Sequence, residues 1–160
     1  MSLVADAGPI FSFARAQQLD LLREVVGTLL IPEAVYDDIV VRGAGRPGAQ
    51  DVHMSTWIRR ERVQERSLID QLPLKLHSGE REAIVLAKEQ SAALLIDERE
   101  ARRIALGLGI VCIGSLRILT EAKERGIISQ VKPILDALIA AGTYVGEPLY
   151  QSILRRVEEE

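Results

Sequence analysis

Short runs of aliphatic residues alternate along the chain with segments in which apolar side chains recur every three or four positions. The short runs predict buried strands over residues 3–6, 28–31, 93–96 and 110–113, and residues 57–63 predict an edge strand. Short aliphatic strands that alternate with helices are typical of a doubly wound parallel sheet covered by helices on both faces.

The segments with helical spacing lie between and after these strands. They predict helices over residues 9–17, 19–26, 32–40, 79–90, 98–108, 115–125, 128–141 and 147–159, and a short turn or helix over 67–72. Residues 42–50 contain three glycines and a proline and predict a loop. No repeat or long linker divides the sequence, so residues 1–160 are predicted to form one three-layer α/β/α sandwich around a parallel sheet. The apolar stripe of the last helix (Leu149, Ile153, Val157) fits either a dimer interface or packing on its own sheet.

Composition and charge exclude only some classes of function. Hydrophobic residues make up 48% of the chain but aromatic residues only 4%, so the core must be aliphatic. The net charge of −3 and the absence of a basic tail argue mildly against nucleic-acid binding on charge alone. The single cysteine, Cys112, excludes an internal disulfide and makes a reducing, cytoplasmic setting the default expectation. No apolar stretch approaches the roughly 20 residues of a membrane span, and the first residues lack a signal-peptide pattern.

Carboxylates occur where one edge of the predicted sheet would collect them. Asp6 and Asp97 directly follow predicted strands, Asp38 lies in the helix after the second strand, and Glu80 and Glu82 lie early in another helix. Ligands of open α/β sheets bind at the carboxyl ends of the strands. Converging carboxylates repel one another, and a divalent cation removes that conflict; oxygen ligands suit Mg²⁺ or Mn²⁺. Each acid also fits a helix cap, a first-turn position or the solvated surface, and only their co-occurrence favours a metal site.

Five segments, taken in order, resemble successive blocks of one family: VADAGPI, LIPEAVYDDIV, LHSGEREAIVLA, LLIDEREARRIA and IGSLRILTEAKERGII. They are similar to the PIN-domain nucleases, and more narrowly to an uncharacterised prokaryotic branch of predicted nucleic-acid-binding PIN proteins related to VapC toxins. The resemblance runs from Val4 to Leu154. It implies an α/β/α sandwich, acidic residues that bind Mg²⁺ or Mn²⁺, and hydrolysis of RNA phosphodiester bonds, with a toxin–antitoxin pair as one setting for that activity.

Carried over by position, the resemblance implies catalytic roles for a set of acids: Asp6, Asp38, Glu80, Glu82 and Asp97. Asp6, Glu80 and Asp97 are the implied metal ligands, although Glu82 matches the broader family about as well as Glu80 does. Supporting roles are implied for Glu98 and for Ser115, which falls at a small hydroxyl position near the site.

Two departures from the family pattern leave the activity open. Asp38 stands where these proteins usually have a glutamate, so its reach to a metal is one methylene shorter. The segment IGSL offers no counterpart of the further aspartate that toxin-type members carry at the rim of the site. The alternative is therefore a weak or inactive PIN-like module that binds nucleic acid or protein. A phosphotransfer or phosphatase domain is a poorer match, because position 8 is glycine rather than a second acid.

Partners follow from the residues only in outline. Arg99 and Arg103 lie one helical turn apart beside Asp97 and are candidate RNA contacts, although surface ion pairs explain them equally well. The resemblance to VapC proteins implies an antitoxin partner and a homodimer.

Overall fold

Runs of Leu, Ile, Val and Ala form the parallel strands of a central sheet in the computed structural model, which describes residues 2–160. The strands are β1 (Leu3–Ala5), β2 (Leu29–Pro32), β3 (Ile58–Glu61), β4 (Ala93–Leu95) and β5 (Cys112–Ile113). Their order across the sheet is β3-β2-β1-β4-β5 and every pairing is parallel. The chain therefore winds outward in one direction from β1 and in the other from β4.

The two central strands are buried on both faces. Val4 in β1 pairs with Leu94 in β4, and neither side chain has exposed surface. The pairing continues past β1, because the Asp6 N–H donates a hydrogen bond to the Leu95 carbonyl at 3.0 Å. Asp6 is therefore fixed at the carboxyl end of the sheet by the same ladder that holds its core.

Ten α-helices surround the sheet in the described residues: α1 (Ala7–Arg15), α2 (Leu19–Val26), α3 (Glu33–Tyr36), α4 (Ala49–His53), α5 (Arg66–Asp70), α6 (Ser78–Glu89), α7 (Arg99–Gly107), α8 (Ser115–Glu124), α9 (Lys132–Ala140) and α10 (Glu147–Arg156). Helix α6 packs on β1 and β2 and contacts α3, α5 and α7, while α1, α2, α8 and α9 pack on one another. The sheet lies between these two helical layers, which confirms the predicted α/β/α fold class. None of these helices is long and apolar enough to cross a membrane.

The predicted elements are confirmed with local exceptions. The helix predicted over residues 32–40 is divided, because α3 ends at Tyr36 and a π-helical turn, Asp37–Val41, follows it. The loop predicted over residues 42–50 ends in a short helix, α4, that the glycines concealed. The helix predicted over 128–141 begins only at Lys132, where a proline occupies the first turn.

The apolar stripe of the last helix was predicted to form either a dimer interface or a contact with its own sheet. In α10, Ile153 and Leu154 are buried, as is Val157 just after the helix, and all three belong to the hydrophobic core. Leu149 is 49% exposed. The stripe therefore packs mainly on its own domain, and one apolar side chain stays at the surface.

Candidate active site

A cavity of about 620 Å³ opens at the carboxyl ends of the strands, beside β1 and β4. Connections leave these two strands toward opposite edges of the sheet, so the cavity lies at the topological switch point, which is the usual ligand position in this class of fold. Its lining includes four carboxylates and three basic side chains: Asp6, Asp38, Glu80, Glu98, Arg42, Arg46 and His77. The structure thus brings together four acids that are far apart in the sequence.

Like Glu80, Asp6 is buried, with only 7% of its surface exposed. Within residues 2–160 its carboxylate has no ion pair and no side-chain hydrogen bond, and the Ala7 N–H is the donor beside it. Burial raises the pKa of Asp6 from 3.8 to about 7, against the effect of the Ala7 N–H. The carboxylates of Glu80, Asp38 and Asp97 add to the rise. Ionised Asp6 therefore lacks the positive charge that would compensate its burial.

Glu80 and Glu98 come from the starts of two helices and share a hydrogen bond inside the cavity. Glu80 also accepts a hydrogen bond from the N–H of His77 at 2.8 Å. Glu98 caps α7 by accepting from the N–H groups of Glu100 and Ala101 at 3.1 and 2.6 Å. Burial, followed by the charge of Glu98, raises the pKa of Glu80; burial also acts on Glu98, but the two backbone donors lower its pKa overall. Burial therefore disfavours the ionised form of Glu80, whereas the backbone donors favour the ionised form of Glu98.

Asp38 lies in the π-helical turn and forms an ion pair with Arg42. The Nε and Nη2 atoms of Arg42 donate to Asp38 Oδ1 at 3.1 and 2.5 Å. The other oxygen, Oδ2, lies so close to α6 that a Cβ atom on Gly79 would be only 2.6 Å from it. Gly79 thus makes room for this carboxylate, and Asp38 must release Arg42 before Oδ1 can bind a cation.

Asp97 follows β4 but lines a second cavity, of about 590 Å³, which shares Glu98 with the first. The N–H and Oγ of Ser115 donate to Asp97 Oδ1 and Oδ2 at 2.8 and 2.6 Å. A Cβ atom on Gly114 would lie 3.0 Å from Oδ1, so the glycine allows this close approach. Ser115 therefore orients Asp97, whose negative charge acts on Asp6.

Three of the predicted site residues lie outside both cavities. Glu82 accepts a hydrogen bond from the Ala34 N–H at 3.1 Å and pairs with Arg66 at 3.6 Å, because two residues along a helix turn its side chain away from the side of Glu80. Arg103 forms a surface ion pair within α7, and Arg99 is exposed. The geometry therefore does not place Glu82, Arg99 or Arg103 in the site that the sequence predicts.

Arg42 and Arg46 are cavity residues that the sequence interpretation missed. Both belong to the glycine-rich stretch that was predicted as a loop without a chemical role. One signal was present, since Arg42 follows Asp38 by four residues, the spacing of an acid–base pair on a helix. These guanidinium groups give the acidic cavity a cationic side that suits a phosphate group.

The donor set fits a hard divalent cation only after the side chains rearrange. In the arrangement of residues 2–160, no three His, Cys, Asp or Glu side chains are placed to hold a metal ion. Two of the cavity acids already have other partners, since Asp38 is paired with Arg42 and Glu80 shares a hydrogen bond with Glu98. Carboxylate oxygens are nevertheless the ligands that Mg²⁺ and Mn²⁺ bind, and buried Asp6 forms no ion pair with any described residue. The acidic cavity is therefore a candidate metal centre, in which Asp38 and Glu80 are engaged by other side chains.

Comparisons with known proteins agree with the architecture. A protein-family model, DUF3368, described as a PIN domain, matches residues 2–159. No curated protein matches the sequence. A similar solved structure is that of SSO1118, a PilT N-terminus domain protein from the hyperthermophilic archaeon Sulfolobus solfataricus P2. The TM-score is 0.53 and the sequence identity 15%, and the match covers 92% of this chain and 98% of that chain. At this identity the likeness shows the fold alone.

Proposed function

Because the chain belongs to the PIN-domain family, whose members are generally nucleases, we propose that it is a ribonuclease that uses Mg²⁺ or Mn²⁺ to hydrolyse RNA phosphodiester bonds. The observation that carries the proposal is Asp6, a buried carboxylate at the switch point of the sheet. Its pKa is raised to about 7, other carboxylates act on it, and no cation of residues 2–160 offsets its charge. A carboxylate so perturbed in a cleft marks a candidate functional site.

Acids from the two adjoining cavities would hold the metal ion together. In this proposal Asp6, Glu80 and Asp97 are the ligands, Ser115 orients Asp97, and Asp38 contributes a further carboxylate. A bound Mg²⁺ or Mn²⁺ would supply a reactive water at neutral pH and would offset the charge of the phosphate. The hydrogen bonds that already fix these carboxylates are the kind of support that metal ligands generally have.

Two proton and charge movements within the chain would prepare the site. Asp6 would give up the proton that burial stabilises, and Glu80 would exchange its hydrogen bond with Glu98 for the metal ion. Arg42, once released from Asp38, is then free to bind a phosphate oxygen of the RNA, together with Arg46. The expected products carry 5′-phosphate and 3′-hydroxyl ends.

A cleavage assay on a short labelled RNA with added Mn²⁺ tests this proposal. Asp6→Asn removes the central charge and should lower the rate by about 100-fold or more. Asp70→Asn is the matched control, because Asp70 is exposed at the end of α5 and has no side-chain hydrogen bond or ion pair in the described residues. Equal rates for the wild type and Asp6→Asn would refute the proposal, whatever the absolute rate.

A second candidate function is a PIN-like binding module that lacks catalysis. The ion pair between Asp38 and Arg42, and the absence of a ready three-ligand cluster in residues 2–160, favour it. Thermal unfolding with increasing Mn²⁺ separates the two candidates, since a ligand that binds the folded state raises Tm. A rise in the wild type that is absent in Asp6→Asn supports the metal site, and no rise at any Mn²⁺ concentration supports the binding module.

We also propose the setting that the VapC resemblance implies, in which the chain is the toxin of a toxin–antitoxin pair and forms a homodimer. The exposed end of the α10 stripe at Leu149 gives limited support to a dimer contact. Light scattering on the purified chain measures its mass directly, and a monomeric mass at all concentrations would exclude the homodimer.

A further inference from the structure

The second cavity extends away from Asp97, between α8 and the segment that joins α9 to α10. Its volume of about 590 Å³ falls within the range of pockets that bind small molecules. Apolar side chains from both sides line it, including Leu116, Val145 and Leu149. Because it also shares Glu98 with the acidic cavity, the two cavities adjoin at the switch point.

Tyr144 is the most exposed large hydrophobic side chain of the described residues, at 91%. It lies in the segment between α9 and α10 and forms no side-chain hydrogen bond and no cation–π contact within residues 2–160. The ring of Tyr144 is therefore exposed to solvent beside an apolar cavity. Nucleic-acid bases stack on such aromatic faces without regard to their sequence.

Two arginines and a threonine line the same cavity as Tyr144. Arg102 and Arg117 line the cavity, and neither forms an ion pair in the described part of the chain. The Oγ1 atom of Thr143 is buried and has no hydrogen-bond partner there. Across its different sides, the cavity therefore offers an aromatic face, two guanidinium groups without an ion pair in the described residues, and an unsatisfied hydroxyl. This combination matches a base attached to a phosphate.

We infer that the second cavity is a base-binding subsite, in which one unpaired nucleotide of the RNA stacks on Tyr144 while Arg117 contacts its phosphate. The inference rests on the proposed function, since it places this nucleotide next to the phosphate that the acidic cavity would receive. A base inside a duplex is already stacked and paired, so the subsite admits only a single-stranded or looped-out nucleotide. Tyr144 and Arg117 are therefore substrate-binding residues that select unpaired RNA.

Binding measured without catalysis tests the subsite. Fluorescence anisotropy with a short labelled RNA, in EDTA to prevent metal-dependent hydrolysis, gives Kd for the intact single strand, for the same strand made abasic, and for the duplex. Tyr144→Ala should weaken binding of the intact strand by about 5- to 150-fold, and Tyr144→Phe should bind like the wild type because it keeps the ring. Val111→Ala is the matched control, since Val111 is also exposed but lies at the amino-terminal end of β5.

The abasic strand separates stacking from charge. Tyr144→Ala should leave its Kd unchanged, because there is no base to stack, whereas Arg117→Gln should weaken the binding of both strands. Far-UV circular dichroism verifies that each variant is folded. The inference is overturned if Tyr144→Ala binds the intact strand like the wild type, or if the abasic strand or the duplex binds as tightly as the intact strand.

The outcomes distinguish this inference from the proposed nuclease activity. RNA that binds through Tyr144 but is never hydrolysed with Mn²⁺ would refute the activity and leave the subsite standing. RNA that is hydrolysed, but whose binding does not depend on Tyr144, would refute the subsite alone.

Discussion

Replacing Asp6 by asparagine should stabilise the metal-free protein, and the gain should grow with pH. Burial raises the pKa of Asp6 from 3.8 to about 7, so the folded state holds this proton more tightly than the unfolded chain does. Below about pH 4 the group is protonated in both states and has no effect. Between about pH 4 and pH 7 the unfolded chain loses the proton first, so the free energy of unfolding falls; above about pH 7 the loss is complete.

The size of this effect follows from the same two pKa values. At 1.36 kcal/mol per pKa unit, a rise from 3.8 to about 7 makes ionised Asp6 cost about 4 kcal/mol of stability. From about pH 5 to about pH 8 the cost increases by about 3 kcal/mol. Asparagine carries no charge and its side-chain oxygen can still accept from the Ala7 N–H. The advantage of Asp6→Asn over the wild type should therefore grow by about 3 kcal/mol across this interval.

Urea unfolding in EDTA at about pH 5 and about pH 8 measures both free energies. Asp70→Asn serves as the control for general effects of removing one negative charge, and its stability should follow that of the wild type at both pH values. Adding Mn²⁺ at the higher pH should reverse the order, because only the wild type keeps the carboxylate. An Asp6→Asn variant whose advantage is the same at both pH values, or absent, would refute the claim that this carboxylate is buried without a compensating charge.

Four further substitutions test other contacts. Gly79→Ala should leave Tm unchanged or slightly higher, since alanine favours the helix. It should weaken Mn²⁺ binding, measured by calorimetry, because the new Cβ displaces Asp38. An unchanged affinity for Mn²⁺ would contradict this. Glu82→Gln should retain RNA cleavage, whereas Glu80→Gln should abolish it, and the opposite result would reassign the ligand. Glu159→Gln should lower the free energy of unfolding, measured in urea, by about 2 kcal/mol. The reason is that the Glu159 side chain is only 7% exposed and its carboxylate accepts hydrogen bonds from two backbone N–H groups and a lysine. A stability equal to that of the wild type would show that these bonds contribute nothing.

The strands could be predicted because their local pattern and their tertiary environment agree. A run such as residues 93–96 is aliphatic throughout, and in the structure it is buried on both faces of a parallel sheet. The end of α3 at Tyr36 could not be predicted in this way. The π-helical turn after it closes with a hydrogen bond from the Arg42 N–H to the Asp37 carbonyl, and Asp38 meets Gly79 on another helix. Hydrophobic periodicity reports neither this hydrogen bond nor the contact with the distant Gly79.

The candidate site could be predicted in its centre but not in its detail. Asp6 and Asp97 follow buried strands, and the ends of neighbouring parallel strands must lie at one edge of the sheet. Glu80 and Glu82 could not be separated by sequence, since both lie near the start of one helix. The structure separates them, because Glu80 lines the cavity whereas Glu82 turns toward Ala34. Arg42 was missed because the stretch that carries it has the composition of a glycine-rich loop.

The central claim is that acids distant in the sequence share one divalent cation at the switch point of the sheet. Anomalous diffraction from a crystal soaked in Mn²⁺ tests it most directly, with a crystal of Asp6→Asn as the control. An anomalous peak is expected in the acidic cavity, in contact with Asp6 and Glu80, and it should be lost in the variant. A wild-type crystal saturated with Mn²⁺ that shows no peak in this cavity, with Asp38 still paired to Arg42, would contradict it.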